Sequence, residues 1–416
     1  MKSLHSLRHM IGPGLIFSGA AIGTSHLVQS TRAGAMFGAA LIGVIVLVNF
    51  LKYPAYRFGV DYSHTSRRSL LSGYRELGKW APILFLVAVA PLVPIILAAL
   101  GAATAGIIST LIGTIMPVPP LAALVLLGAT LLLVAGGYSW LDRINGYLLV
   151  FLVISTLITT IMVVPRVDWG TLTDFSWTHQ TTALLFIVAL AGFMPNPLDV
   201  SVALSLWKVE SDRSLPEESH PSLRQARASF MGPYALSALM AVCFCIMGAG
   251  VMHAQSITPL SDAPGFAGQL VNLYREALGP QAAILAAIAA LSVMLTTVIA
   301  GIDAYARIFA SAMSVMSGKG DDAGLRRDYV GFCLLFMALA SSVLFTVLAD
   351  FSVFLDFVTS SSFVIAPVVA LLNHLVVTRC AMPDEARPGL VTRAWSWLAI
   401  LVMAALAVMY FVLVLR

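Results

Sequence analysis

The sequence predicts an all-α, polytopic membrane protein of about eleven transmembrane helices, and three observations predict it. The chain is 59% hydrophobic and 11% charged, with a mean hydropathy of +0.92. Soluble domains carry roughly 25% charged residues, so a water-facing surface is out of reach. Apolar residues come in blocks of about 20, the length an α-helix needs to cross a hydrocarbon core, and not in the alternation of an outer-membrane barrel. Positive residues also segregate between alternate loops. Soluble enzymes, nucleic-acid modules and disordered scaffolds are excluded, and the net charge of +4 suggests no nucleic-acid partner.

The spans follow in order from apolar runs bounded by charge or by Pro and Gly: 11–33, 36–57, 81–113, 119–136, 145–164, 181–207, 230–252, 282–306, 329–349, 351–377 and 393–415. The basic segment MKSLHSLRHM precedes the first run, which lacks a small-residue cleavage site and exceeds signal-peptide length, so it reads as a retained helix. With the N-terminus cytoplasmic, 20 of the 24 Lys and Arg, Lys52 and Lys208 among them, fall inside. Arg32, Arg166, Arg275 and Arg416 fall outside. This asymmetry orients the chain in the cytoplasmic membrane with its C-terminus outside. Cys243, Cys245, Cys333 and Cys380 lie in or beside apolar runs and read as packing residues.

Two spans are poor continuous helices. The first, GPGLIFSGAAIGTSHLVQSTRAGA, has Gly19, Gly23, Thr24 and Ser25 at mid-span. The sixth, IVALAGFMPNPLDVSVALSLW, has Gly192, Pro195 and Pro197 there and should unwind over 192–197. Irregular backbone survives at membrane depth only where it lines a cavity or is buried in protein. Each break opens a block of five spans, which predicts one transport domain over 1–416 built as inverted repeats. The repeats are 11–164 and 181–377, with 393–415 as an added helix and substrate held between the two breaks.

At these two segments the sequence resembles the Nramp family of proton-coupled divalent-metal transporters. The first matches that family's helix 1 at Gly12, Pro13, Gly14, Ser18, Ile22, Ala33, Gly34, Ala35, Phe37 and Gly38. The sixth matches its helix 6 at Ala191, Met194, Pro195, Leu198, Ala203 and Leu204. The resemblance implies a leucine-transporter-type fold of the APC superfamily and a divalent-metal substrate. The family's DPGN signature is replaced by Gly23, Thr24, Ser25 and His26, and its MPHN by Met194, Pro195, Asn196 and Pro197. Of the family's side-chain ligands only the methionine remains. Its helix 3 carboxylates and helix 9 basic residues, which serve proton movement, have no counterpart in 81–116 or 331–349.

The expected substrate site is therefore Gly23, Thr24, Ser25, His26, Ala191, Met194 and Asn196. An imidazole with a thioether suits a soft or borderline metal, and Asp199 offers a carboxylate, which makes His26, Met194 and Asp199 a tentative ligand set. Asp199 reads equally as an N-cap and His26 as a cap of the outer half of helix 1. Without an acid at the break, the exposed donors of Gly23, Thr24 and Ser25 suit a small organic solute instead, an amino acid or a carboxylate. Asp303 with Arg307 reads as an ion pair or a gate. Thr296, Thr297, Ser360, Ser361 and Ser362 are hydroxyls open to substrate, Asn373 and His374 read as interfacial, and Asp350 and Asp356 receive no role. The loop 208–228 reads as a solvated connector. No nucleophile elbow, P-loop or metallohydrolase motif occurs, so the chain is no enzyme, uses no cofactor and draws on a gradient. A receptor on a transporter scaffold is the reading from another functional class. The coupling ion, the transport direction and the oligomeric state stay open, a monomer in the bilayer being one of the options.

Overall fold

The computed structural model describes residues 22–136, 139–216, 220–321, 325–348 and 350–415, with backbone alone at 139–145 and 325. Gly19 and the Gly12 to Ser18 matches lie outside the described residues. The chain enters at Ile22, turns through a π-helix, Ser25–Ser30, and continues as α1, Thr31–Phe37. There follow α2 (Ile42–Ser66), α3 (Leu70–Leu77), α4 (Trp80–Val89), α5 (Leu92–Ile112), α6 (Val118–Ala135), α7 (Ser139–Val163), α8 (Thr181–Phe193) and α9 (Val200–Arg213). Then come α10 (Leu223–Met247), α11 (Ala263–Leu278), α12 (Pro280–Met316), α13 (Leu325–Thr346), α14 (Phe351–Arg379) and α15 (Leu390–Val414).

Among the described residues eight helical stretches are long and apolar enough to cross a membrane, and they coincide with the third to fifth and seventh to eleventh expected spans. The other three depart for a visible reason. The first is described only in part, the second carries Lys52, Arg57 and Asp61, and the sixth is broken. Large apolar side chains such as Val46, Val87, Leu131, Ile161 and Leu401 are exposed on the outside, as lipid-facing residues are, while hydroxyl and amide groups collect inside.

Two groups of helices meet at the centre. In one, α2 packs against α9, α10 and α14, and α14 lies along α8. In the other, α5, α6, α12 and α13 pack on one another. Small residues permit the closest approaches. A Cβ at Gly34 would lie 1.9 Å from the Cys245 carbonyl oxygen, and one at Gly248 would lie 2.2 Å from that of Thr31. Helix α1 and the end of α10, which runs on as a second π-helix, Gly248–Met252, therefore meet backbone to backbone. A Cβ at Gly192 would sit 1.8 Å from the Thr359 oxygen, which pins α8 to α14 in the same way.

Several expectations need correction. The sixth span stays α-helical through Phe193 and breaks over 194–199, two residues later than expected, with Met194–Pro195 cis. Helices usually end before a residue that precedes Pro, and Phe193 is followed by Met194 and Pro195. The first span, where described, is helical from Thr24, so its irregularity is a π-helix and not an extended stretch. Helices α3 and α11 are additions between spans, both amphipathic. Helix α9 continues past Lys208 to Arg213, so the front of the expected solvated loop is a helix end in which Lys208, Val209 and Asp212 are buried and Glu210 and Arg213 exposed. All four cysteines are buried and free.

Candidate functional site

The two irregular segments face each other across a cavity of about 40 Å³. Thr24 and Ser25 line it from the first segment, Asn196 and Pro197 from the break, and Thr297, Gly301 and Tyr305 from α12. Gly23 leaves room for α12, since a Cβ there would come 2.9 Å from the Thr297 methyl. The Ser25 hydroxyl lies 3.4 Å from the Pro195 carbonyl oxygen, which ties one segment to the other.

His26 is fully buried and uses both ring nitrogens. Its Nδ1 is 2.7 Å from Ser25 Oγ, and its Nε2 is 2.9 Å from the Ser237 carbonyl oxygen and 3.0 Å from Ser237 Oγ. A carbonyl only accepts, so Nε2 carries a proton; in a neutral ring Nδ1 then accepts from Ser25. His26 sits inside the π-helix and caps nothing. Met194 is fully buried, and neither it nor His26 forms part of the cavity wall.

Asp199 lies in the break beside the wall residues Pro197 and Val200. It is 1% exposed and neither carboxylate oxygen has a hydrogen-bond partner, so the N-cap expectation fails. Its φ of −61° and ψ of −24° are helical, whereas a capping Asp takes extended backbone to reach forward. The hydroxyl of Tyr305 falls within its electrostatic reach, yet also lacks a hydrogen bond of good geometry, as does the Asn196 side-chain nitrogen.

The residue that sequence reasoning misread is Lys52. Counted among the cytoplasmic positive charges, it is fully buried beside the break. Its Nζ donates to the carbonyl oxygens of Ala191 at 2.7 Å, Gly192 at 2.8 Å and Asn196 at 3.2 Å. One turn further along α2, the Tyr56 hydroxyl is 3.0 Å from the Asn196 oxygen and 2.7 Å from that of Pro197. The i, i+4 spacing of Lys52 and Tyr56 puts both on one helix face and was the available signal.

Two polar clusters lie further along the elements that line the cavity. At one, Arg32 reaches Asp356 with two nitrogens, at 2.6 and 2.9 Å, while also donating to Gln29 Oε1 at 2.8 Å and lying over the Phe186 ring. At the other, Trp207, itself a wall residue, donates to Asp303 at 3.0 Å. Arg307 at 2.8 Å and Tyr329 at 2.8 Å donate to the same carboxylate. Beyond them a wider hollow of about 280 Å³ is lined by Glu210, Arg213, Arg307, Asp321 and Arg326. The remaining expected hydroxyls scatter. Thr296 bonds back to the Ser292 oxygen at 3.0 Å and Thr297 takes its position on the wall, while Ser361 is half-buried outside it. Asn373 and His374 are buried, not interfacial. Asn373 accepts from Tyr74 at 2.5 Å and donates to the Ala55 oxygen and to Ser201, joining α14, α3, α2 and α9. Asp350 caps α14 through the Val353 nitrogen. Among the described residues no three His, Cys, Asp or Glu side chains cluster as a metal site.

Comparison with known proteins agrees with this geometry. The profile described as natural resistance-associated macrophage protein-like matches residues 14–413. The uncharacterized protein PM0681 of Pasteurella multocida (strain Pm70) is 33% identical over 381 residues, covering 90% of this chain and 86% of that one. Among solved structures, the Eremococcus coleocola manganese transporter in complex with an aromatic bis-isothiourea compound superposes with a TM-score of 0.70 at 15% identity, over 97% of this chain and 86% of its own. MhsT in complex with L-phenylalanine gives 0.65 at 14%, over 98% of each chain. Mhp1, a nucleobase-cation-symport-1 family transporter in a closed conformation, gives 0.58 at 14%, over 96% and 90%. The fold is thus of the leucine-transporter type, and the chain belongs to the Nramp family of membrane transporters.

Proposed function

We propose that the chain carries a divalent metal ion across the cytoplasmic membrane by alternating access, the ion resting between Gly23–His26 and Ala191–Asn196. One observation carries the reading: a cavity of about 40 Å³ between the two irregular segments is walled by Thr24, Ser25, Asn196, Thr297 and Tyr305, with the buried carboxyl residue Asp199 in the break beside it. A carboxyl group buried this deeply favours opposite charge nearby, and a cation in the cavity adds to what Lys52 and Tyr305 supply. The volume suits one small ion and is far below the roughly 300–1,000 Å³ of organic-ligand pockets. Asp199 supplies the negative charge that the family aspartate would have given. Ser25 and Asn196 supply oxygens, and His26, hydrogen-bonded to Ser25, orients that hydroxyl. An oxygen-rich set of this kind favours a harder ion such as manganese. Direct ligation by His26, Met194 and Asp199 would favour cadmium, and requires His26 to leave Ser237.

In this reading 11–164 and 181–377 are the inverted repeats, 393–415 is accessory, the N-terminus is cytoplasmic and the C-terminus is external. The Arg32–Asp356 cluster is the external lid and the Trp207–Asp303 cluster the cytoplasmic one. Rocking of the α2, α9, α10 group against the α5, α12, α13 group opens them in turn. A small organic solute is the second reading, favoured by the opposite charges of Lys52 and Asp199, which suit a zwitterion; it requires the cavity to expand several-fold.

Calorimetric titration of the purified protein with manganese, zinc and cadmium, beside a thermal-shift panel of amino acids and small carboxylates, separates the two. The metal reading expects saturable binding that falls at least tenfold in Asp199→Asn. Stabilisation by one class of organic solute with no metal heat would sink it. Uptake of any solute by proteoliposomes would dispose of a purely receptor role.

A further inference from the structure

We propose that the carbonyl oxygens of Ala191, Gly192 and Asn196 form a monovalent-cation site that the chain fills with its own Lys52. Two of the three belong to the last turn of α8, where the i+4 donors are missing, only the Met194 N–H reaches Ala191 at 3.4 Å, and the helix dipole is negative. Lipid and protein interior offer no water to such groups, so a broken membrane helix must find them donors. Three acceptors at 2.7, 2.8 and 3.2 Å around one nitrogen match the three protons of an ammonium ion, and carbonyl oxygens offer nothing to the lone pair of a neutral amine. The cage is thus built for a compact cation with three to four oxygen neighbours. Other polar side chains packed round it are Tyr56, which donates to the Asn196 and Pro197 oxygens, and Asp199, which adds an attractive charge without a hydrogen bond.

The geometry of the break is then held by a cation that never leaves. Exchangeable sodium or potassium is not needed to shape the substrate site, and the ion that couples transport, whatever it is, does not bind here. Truncating Lys52 empties the cage and creates a requirement for an external monovalent cation.

The test is chemical rescue of Lys52→Ala, read first as melting temperature in detergent and then as substrate uptake. The melting readout does not depend on which solute is carried, so it stands apart from the metal proposal. Propylammonium, ammonium, sodium and potassium are titrated against N-methylglucamine at constant ionic strength. The expected result is a lowered melting temperature that propylammonium or ammonium raises saturably, recovering more than half of the loss, with no response from the parent protein. If Lys52→Ala yields no folded protein, Lys52→Gln replaces it, keeping two donors without charge. A Lys52→Gln protein as stable as the parent overturns the proposal, because donors alone would suffice. Absence of a saturable cation response in folded Lys52→Ala overturns it as well.

Discussion

Under the proposed alternating-access reading, loss of the Arg32–Asp356 pair opens the lid assigned to the external side, and the size of the effect follows from its surroundings. The Arg32 side chain is 7% exposed and that of Asp356 is 32% exposed, so the pair is neither fully solvated nor fully buried. Exposed pairs contribute about 0.2–1 kcal/mol, whereas removing one partner of a buried pair costs about 3–5 kcal/mol. For Asp356→Asn, which preserves shape and removes the charge, about 2 kcal/mol is the matching intermediate. At 1.4 kcal/mol per decade this is about a 30-fold shift toward the externally open form. The assay is the rate at which Thr24→Cys, on the cavity wall and 2% exposed, reacts with a membrane-impermeant maleimide added from outside. The four native cysteines are buried, so the parent gives a low background. An increase of about tenfold or more in the double variant is expected by the same arithmetic. A rate within twofold of Thr24→Cys alone would show that breaking the pair is not part of opening.

Other outcomes follow from the same geometry. Trp207→Phe removes the donor to Asp303 at 3.0 Å and should raise labelling of Thr24→Cys from the cytoplasmic side only, as measured in inside-out vesicles. Gly192→Ala places a Cβ 1.8 Å from the Thr359 oxygen, and overpacking of this kind costs about 1–3 kcal/mol or more. A lower melting temperature should result, whereas Gly128→Ala, with open space, should melt like the parent. Under the metal proposal, His26→Ala should weaken manganese binding less than Asp199→Asn does, and equal losses in calorimetry would favour direct imidazole ligation. Gly23→Leu meets Thr297 at the wall and should abolish uptake while leaving the protein folded by circular dichroism.

Much of the architecture was legible because membrane spanning is a composition and length problem, solved locally. The interruption of the sixth span was also local: Pro195 and Pro197 permit little else, and only the helix end moved, to Phe193. What escaped depended on contacts distant in sequence. Lys52 sits five residues from Arg57, where a membrane lysine ordinarily snorkels toward headgroups. Its inward course is decided by carbonyls 139 to 144 residues away. Asp356 had no visible role because its partner is Arg32, on the far side of the sequence, and Asn373 looked interfacial because its three partners come from three other helices. Of the residues expected at the site, Thr24, Ser25 and Asn196 lie on the cavity wall, while Gly23, His26, Ala191 and Met194 lie behind it. Whether His26 is open to a ligand depends on Ser237, and whether Asp199 caps a helix depends on the backbone angles it adopts.

The π-helix at Ser25–Ser30 also acts as a rotational offset. An α-helix advances about 100° per residue, and a single wide turn accommodates one residue more than an α-turn would, so it resets the azimuth of everything downstream. That offset lets one short segment present Thr24 and Ser25 to the cavity, aim Arg32 at Asp356 and turn Gly34 toward Cys245. Deleting any one residue between 25 and 30 would leave composition and hydropathy nearly unchanged, yet swing the lid and the glycine contact by about a quarter turn relative to the cavity wall. The phase of this helix, more than the identity of any residue in the turn, joins the cavity wall to the Arg32–Asp356 cluster.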